Sequence, residues 1–160
     1  ANPQSGGVIQ TIQSSLAGQF TTTSGSFVSS GLTASITPKF SNSKILVIMN
    51  CVNAVINSNS NHTWITIYRN NTTNLANSGS VTGFNQLYAG SSNTYAAIGM
   101  SYLDSPATTS PITYQVQVRL QGSTPQTFTL NYANGYLNGG SDVYQGCYTS
   151  TITAQEIAYV

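Results

Sequence analysis

The chain of 160 residues is long enough to bury one hydrophobic core and short enough for a single domain. Only 4% of its residues are charged, whereas a typical globular protein has about 25%. A formal net charge of +1, without a cluster of Lys or Arg, argues against nucleic acid as a partner. A surface rich in Ser, Thr, Asn, Gln and Gly favours assembly through hydrogen bonds that salt affects little.

The first seven residues, ANPQSGG, are small and polar and include a proline, which predicts an extended N-terminal arm over residues 1–7. This stretch does not resemble a signal peptide, and no apolar run approaches about 18 residues, so the sequence predicts no membrane partner. A single domain is predicted over residues 8–160. An extended arm can add to a strand edge of a neighbouring protein. The candidate attachment residues are Ala1, Asn2, Pro3 and Gln4.

Short segments of alternating apolar and polar residues, separated by turn signals, follow one another along the chain and predict β-strands. No segment has a convincing helical period, so the predicted fold class is an all-β antiparallel sandwich of two sheets. Residues 70–80 are predicted to form a loop or a very short strand. The other strands are predicted at residues 8–13, 19–23, 26–30, 31–37, 44–56, 62–70, 81–89, 95–103, 112–121, 127–132 and 147–160.

The strand predicted over residues 44–56, KILVIMNCVNAVI, is apolar on both faces. One face of a sandwich strand normally meets water, and no predicted helix could cover the second face of this strand. We therefore expect another subunit to cover it, and which face meets that subunit stays open. The candidate core or interface residues are Ile45, Val47 and Met49 on one face and Leu46, Ile48 and Val52 on the other. Further along, alternation places Cys51 and Val55 on the first face and Ala54 and Ile56 on the second.

The strand predicted over residues 112–121 has the most regular alternation in the chain. Its apolar face, which begins at Ile112, is predicted to point into the core. The opposite face is predicted to be wet. Its outward side chains would be Thr113, Gln115, Gln117, Arg119 and Gln121.

Few residues are candidates for catalysis or metal binding. His62 is the only histidine, and because no nucleophile motif accompanies it we interpret it as a surface residue. A carboxylate pair for glycoside cleavage would have to come from Asp104, Asp142 and Glu156, which lie in different regions. Asp142 could join backbone carbonyls around a calcium ion, but a solvated turn aspartate is the simpler interpretation. The sequence therefore predicts no enzyme, no catalytic residue, no cofactor and no metal.

The two cysteines lie far apart in the sequence. Cys51 lies within the long apolar run, so we interpret it as a buried free thiol. A disulfide bond with Cys147 is the alternative.

The stretch NYANGYLNGGSDVYQGCY is rich in Tyr, Gly and Asn. This composition is typical of loop binding surfaces, where Tyr supplies contact area at a low cost in entropy. Tyr132, Tyr136 and Tyr144 are the candidate loop binding residues, for a sugar or a protein. The alternative is that such rings close the ends of the sandwich or fill a subunit interface.

Four segments together resemble a family of small β-sandwich modules in tailed-bacteriophage virion proteins: GLTASITPKFSNSKILVIM, WITIYRNNTTNL, DSPATTSPITYQVQV and STITAQEIAYV. That family is similar in topology to the trimeric jelly rolls of tumour necrosis factor and the complement globular head. The resemblance covers Val8 to the C terminus and implies a jelly roll that forms a homotrimer, with the inner sheets facing the axis. It implies that residues 44–56 and 147–160 are central strands of that sheet. Gln155 or Glu156 must then reach an edge or find a hydrogen-bonded partner.

The resemblance implies a non-enzymatic structural protein of a phage virion, assembled in the host cytoplasm. Because only a short arm precedes the domain, the favoured hypothesis is a capsid decoration or cement trimer that stabilises the shell. Its partners would be its own copies and the major capsid protein or another virion protein. The alternative is the receptor-binding tip of a tail fibre or spike that recognises a host cell-surface glycan or protein. A carbohydrate-active enzyme is the least favoured class.

Overall fold

The computed structural model describes residues 5–57, 61–76, 83–90, 93–121, 126–132 and 148–159. Within these ranges every regular element is a strand, which confirms the predicted all-β class. The described residues include no helix long and apolar enough to cross a membrane. The strands are β1 (Val8–Leu16), β2 (Phe20–Thr22), β3 (Val28–Ile36), β4 (Lys44–Asn57), β5 (Asn61–Arg69), β6 (Thr73–Asn74), β7 (Asn85–Ala89), β8 (Thr94–Asp104), β9 (Ile112–Leu120), β10 (Thr127–Leu130) and β11 (Ser150–Ile157).

The strands form two antiparallel sheets, which we call sheet A and sheet B. In sheet A, β8 pairs with one edge of β4, while β11 and β10 pair with successive parts of the other edge. Outside these, β1 pairs with β11 and β2 with β10. Sheet B has the order β3, β9, β5, and both β6 and β7 pair with the remaining edge of β5. Because strands that follow each other in the chain often belong to different sheets, the chain crosses repeatedly between the two.

One hydrophobic core lies between the sheets. The same cluster of buried side chains contains Val47 and Met49 from sheet A and Ile65 and Val116 from sheet B. Full burial of an aliphatic side chain of this size contributes about 1.5–3 kcal/mol relative to leaving it exposed. Two antiparallel sheets that share one core are consistent with the predicted β-sandwich.

A bulge in β4 corrects the faces assigned by alternation. The register of β4 against β8 shifts between Cys51 and Ala54, and Asn53 has a φ of 46°. The extra residue reverses the alternation, so Ala54 and Ile56 lie on the same buried face as Cys51. The prediction that Ala54 and Ile56 lie on the opposite face was wrong because it assumed an unbroken strand.

Alternation predicted that the outward face of β9 is in contact with water along its whole length. In the structure, part of this face is covered. Gln117 is only 3% exposed, and its side-chain amide donates a hydrogen bond to Asn71 Oδ1 at 2.5 Å. Arg119 is half-buried and lies against Phe27. Asn71 and Phe27 belong to the segments after β5 and before β3, so loops cover this part of sheet B. Alternation within one strand does not reveal such a cover.

Candidate functional site

The outer face of sheet A, which points away from the core, is a candidate assembly surface. Its centre is formed by Leu46 and Ile48 of β4 and Leu103 of β8, and Leu46 lies directly opposite Leu103 in the register. Across the other edge of β4, Leu46 faces Gln155 and Ile48 faces Thr153. Leu103 is 52% exposed, and the two β4 side chains are half-buried. The single chain thus leaves an apolar patch on this face in contact with water.

The side chains around this apolar patch are nearly all uncharged. A partner that covers the face would therefore have to desolvate few ions. One charged residue of β4, Lys44, lies on the same face in the register. Its ammonium group lies 2.7 Å from Ser105 Oγ and 4.8 Å from the centroid of the Tyr159 ring. The surrounding residues in register are Thr11, Gln13, Ser15, Asn50, Gly99, Ser101, Thr151, Thr153 and Gln155.

The six candidate residues of β4 divide between the two faces of sheet A. Ile45, Val47 and Met49 are each 0% exposed and lie in the core of the subunit. The other three, Leu46, Ile48 and Val52, are half-buried and belong to the outer face. The structure thus shows which face of the strand lies outside the core of the subunit, which alternation alone left open.

The predicted Tyr binding surface is described only in part, since Tyr136 and Tyr144 lie outside the described residues. Tyr132 is half-buried. Its backbone N–H donates to the Asn53 carbonyl at 3.1 Å, and its own carbonyl accepts from the Asn53 side chain. Its ring centroid lies 6.2 Å from that of Tyr95. These contacts hold the backbone of Tyr132 against the bulge of β4.

The candidate attachment residues Ala1, Asn2, Pro3 and Gln4 also lie outside the described residues. The backbone that follows them is paired with the end of the last strand. Gly6 N–H donates to the Ala158 carbonyl at 2.7 Å, and Ala158 N–H donates to the Gly7 carbonyl at 2.8 Å. Two residues of the predicted arm therefore continue the pairing of β1 with β11.

Asp104 joins the two sheets. Both of its carboxylate oxygens lie 2.9 Å from Arg69 Nη1, and the Tyr114 hydroxyl donates to Oδ2 at 2.7 Å. Asp104 ends β8 in sheet A, whereas Arg69 and Tyr114 belong to β5 and β9 in sheet B. Burial, together with the hydrogen bond to Asp104 and the negative charge of its carboxylate, raises the pKa of Tyr114 above its ordinary value. The network therefore holds a carboxylate against a protonated phenol.

Glu156 is fully buried on β11 and is bound by neutral groups. Gln10 Nε2 lies 2.6 Å from one carboxylate oxygen, and the backbone amides of Lys39 and Phe40 lie 2.7 and 3.2 Å from the other. Burial raises the pKa of Glu156, but the hydrogen bonds from Gln10 and the two backbone amides outweigh burial, so the pKa lies below its ordinary value. A hydrogen-bonded partner for this polar position of the closing strand was expected, and the structure confirms it.

The described residues offer little for catalysis or metal binding. Asp104 and Glu156 each bind their own set of donors, and Asp142 lies outside the described residues. No group of three His, Cys, Asp or Glu side chains that could hold a metal occurs in the part of the chain that the structure describes. Cys51 is a free, buried thiol, and burial raises its pKa to about 12 despite a hydrogen bond with Ser150. This confirms the interpretation of Cys51; Cys147 lies outside the described residues.

Sequence reasoning missed a row of rings on the outer face of sheet B, which we call the aromatic stripe. Alternation did place Trp64 and Tyr68 on one face of β5, but it did not bring Phe27, from a distant segment, against them. Successive members lie 4.7–5.9 Å apart, measured between ring centroids or from a ring centroid to the Arg119 guanidinium carbon. In spatial order the members are Tyr88, His62, Trp64, Arg119, Phe27 and Tyr68.

Comparison of the sequence with protein-family models and with curated proteins gives no match.

Proposed function

We propose that the protein is a non-enzymatic structural protein of a phage virion, a homotrimer that decorates or cements the capsid shell. The observation that carries this proposal is the outer face of sheet A, where Leu46, Ile48 and Leu103 lie in contact with water among uncharged side chains. Removing apolar surface from water contributes roughly 25 cal/mol per Å². Two further copies of the chain would cover this face, and the resemblance to trimeric virion modules favours three copies over two.

The strand order supports the finer proposal of a jelly roll. Across sheet A the main strands run β1, β11, β4, β8, and across sheet B they run β3, β9, β5, β7. Eight main strands divide evenly between two layers, and the first and last strands of the chain are neighbours. Jelly rolls have this architecture of eight strands in two packed sheets.

Attachment to the shell is proposed through residues 1–4, which precede the edge strand β1. An extended segment can pair with a strand edge of the major capsid protein or another virion protein through its backbone groups. Three such contacts on one trimer would act together, so each can be weak while the trimer stays bound.

The proposal is tested first by the native mass of the purified protein, which should be three times the chain mass of 16.9 kDa. The second test is immunogold electron microscopy of particles of the phage that encodes this chain. Label spread over the shell supports decoration. A monomer at micromolar concentration, or label absent from the shell, contradicts the proposal.

The second candidate is the receptor-binding tip of a tail fibre or spike. The aromatic stripe favours it, because surface rings beside polar side chains are common in ligand-binding surfaces. Label confined to the tail tip in the same micrographs would support this candidate over decoration.

A further inference from the structure

A groove of about 620 Å³ opens on the outer face of sheet B, at one end of the aromatic stripe. Tyr68, Gln117 and Arg119 line it from the strands, and Phe27 and Asn71 line it from the neighbouring loops. The loop after β5 is held in place, because Asn70 N–H donates to the Thr113 carbonyl at 2.8 Å and Asn70 Oδ1 accepts from Thr113 N–H at 2.9 Å. The groove is therefore formed before any ligand arrives.

Arg119 is held in this groove by rings and by no carboxylate. Its guanidinium carbon lies 4.7 Å from the Trp64 ring centroid and 5.9 Å from that of Phe27. Within the described residues the side chain makes no ion pair or hydrogen bond, and its Nε is buried without a partner. A buried donor without an acceptor is unfavourable, and a guanidinium binds a carboxylate through two parallel hydrogen bonds.

The other three cations of the chain are placed differently. Arg69 is engaged by Asp104, and Lys44 lies against Ser105 and Tyr159. Lys39 is exposed, and its backbone rather than its side chain takes part in the Glu156 cluster. One cation in a groove can bind one carboxylate, whereas a polyphosphate backbone requires several basic residues along its path.

The groups around Arg119 suit a sugar. The rings of Phe27 and Tyr68 lie 5.6 Å apart at an angle of 56° and give an apolar surface for the C–H face of a pyranose. Gln117 Nε2 donates to Asn71 Oδ1, which leaves the Asn71 side-chain N–H groups without a partner in the described residues. An amide donor beside aromatic rings can hydrogen-bond a hydroxyl group and fix the orientation of a ligand.

We infer that this groove binds a saccharide that carries a carboxylate, with the carboxylate on Arg119 and the sugar ring against Phe27 and Tyr68. Asn71 donates to a hydroxyl group of the same sugar. The site lies on the face opposite to the proposed trimer surface. It does not depend on the role proposed for the protein in a virion.

The test is affinity gel electrophoresis and titration calorimetry with polygalacturonate, alginate, hyaluronan and polysialic acid, each compared with its carboxyl-reduced form. The wild-type protein is expected to bind at least one acidic polymer and to bind its reduced form at least about tenfold more weakly, the usual difference for a charge-assisted hydrogen bond. Absence of binding to all four acidic polymers, or equal binding of the reduced forms, overturns the inference.

Arg119→Gln is expected to weaken binding of the acidic polymer by about tenfold or more. Lys39→Gln is the matched control, because it removes the same charge at an exposed position outside the groove, and it should bind like the wild type. Equal losses in both variants would show a general charge effect and contradict a site at Arg119.

Because Arg119 also packs on Trp64, thermal unfolding of each variant is measured alongside binding. Asn71→Gly provides a second route that leaves Arg119 intact: glycine accepts the φ of 59° at this position, and the change removes the amide together with its hydrogen bond from Gln117, so its stability is measured as well. It should weaken binding about threefold to tenfold while the protein stays folded. Unchanged affinity in a folded Asn71→Gly protein contradicts the proposed contact with the sugar.

Discussion

Glu156 connects three segments of the chain through one carboxylate. It lies on β11, it accepts from Gln10 on β1, and it accepts from the backbone of Lys39 and Phe40 between β3 and β4. Gln10 Nε2 also donates to the Thr37 carbonyl at 2.7 Å, so the edge strand and the loop are bound to each other as well. A single buried acid thereby fixes the position of the first strand and of the entry into β4.

Glu156→Gln should lower the free energy of unfolding by about 1–3 kcal/mol, because an amide presents one acceptor atom where the carboxylate presents two. Urea unfolding of the wild type, Glu156→Gln, Gln10→Ala and the double variant measures this as a double-mutant cycle. Gln10→Ala in the Glu156→Gln background should cost less than in the wild type. Additive losses would mean that the two side chains do not act together.

Acid should weaken the fold partly through the same residue. The pKa of Glu156 is lower in the folded than in the unfolded chain. Its contribution to the free energy of unfolding is therefore fully present above the pKa of the unfolded chain, about 4.3, and is lost as the pH falls from there through the pKa of the folded chain. The urea midpoint of the wild type should therefore fall between pH 6 and pH 3 by more than that of Glu156→Gln. Parallel midpoints for the two proteins over this range would contradict a lowered pKa.

At the scale of the element, β4 serves two surfaces with alternate side chains. Val47 lies in the subunit core, and its neighbour Ile48 lies on the outer face of sheet A. The strand is therefore central to the fold and, in the proposed trimer, to assembly. The bulge at Asn53 limits this alternation to the first half of the strand.

A charge at each of these neighbours should separate folding from assembly. Val47→Lys is expected to prevent folding, since an unpaired buried charge costs several kcal/mol and a domain of this size is stable by about 5–15 kcal/mol. Ile48→Lys should give a folded monomer, seen as native circular dichroism and a threefold lower mass. Gln115→Lys, on the outward face of sheet B, is the matched control and should stay trimeric. A trimeric Ile48→Lys protein would exclude this face as the interface.

The sequence predicted the parts of the fold that depend on short-range pattern. Alternation identified most strand segments, although residues 26–30 and 31–37, predicted as two strands, contribute to the single strand β3. It also identified the two faces of residues 45–49, and the apolar setting of Cys51 indicated a buried thiol. It failed at the bulge, because one residue in a left-handed conformation reverses every later position. It also missed the stripe, because the contact between Arg119 and Phe27 joins residues distant in the chain and depends on how a loop folds over the sheet.

At the scale of the whole molecule, the two sheets are joined by more than the apolar core. Arg69, Asp104 and Tyr114 form an ion pair and a buried hydrogen bond between sheet B and the end of β8 in sheet A. Charged residues are scarce in this chain, and two of them are used here. The network fixes the position of β8, the strand that carries Leu103 of the outer face.

Arg69→Met should destabilise the protein by about 3 kcal/mol or more, because it leaves Asp104 buried without a counter-ion. Tyr114→Phe should cost only about 1 kcal/mol, since Arg69 still neutralises the carboxylate. Urea unfolding at pH 7 compares the two variants with the wild type. If the two variants lose the same free energy of unfolding, the charge of Arg69 contributes nothing beyond a hydrogen bond.

The buried thiol of Cys51 has a consequence for measuring how the molecule opens. With a pKa raised to about 12 and a side chain that is only 2% exposed in the folded state, the thiol should react with an alkylating reagent mainly when β4 separates from sheet B. In a Cys147→Ser protein, the alkylation rate at saturating reagent would equal the opening rate of the sandwich. Comparing that rate in the wild-type background and in Ile48→Lys would show how far neighbouring copies slow the opening of each subunit.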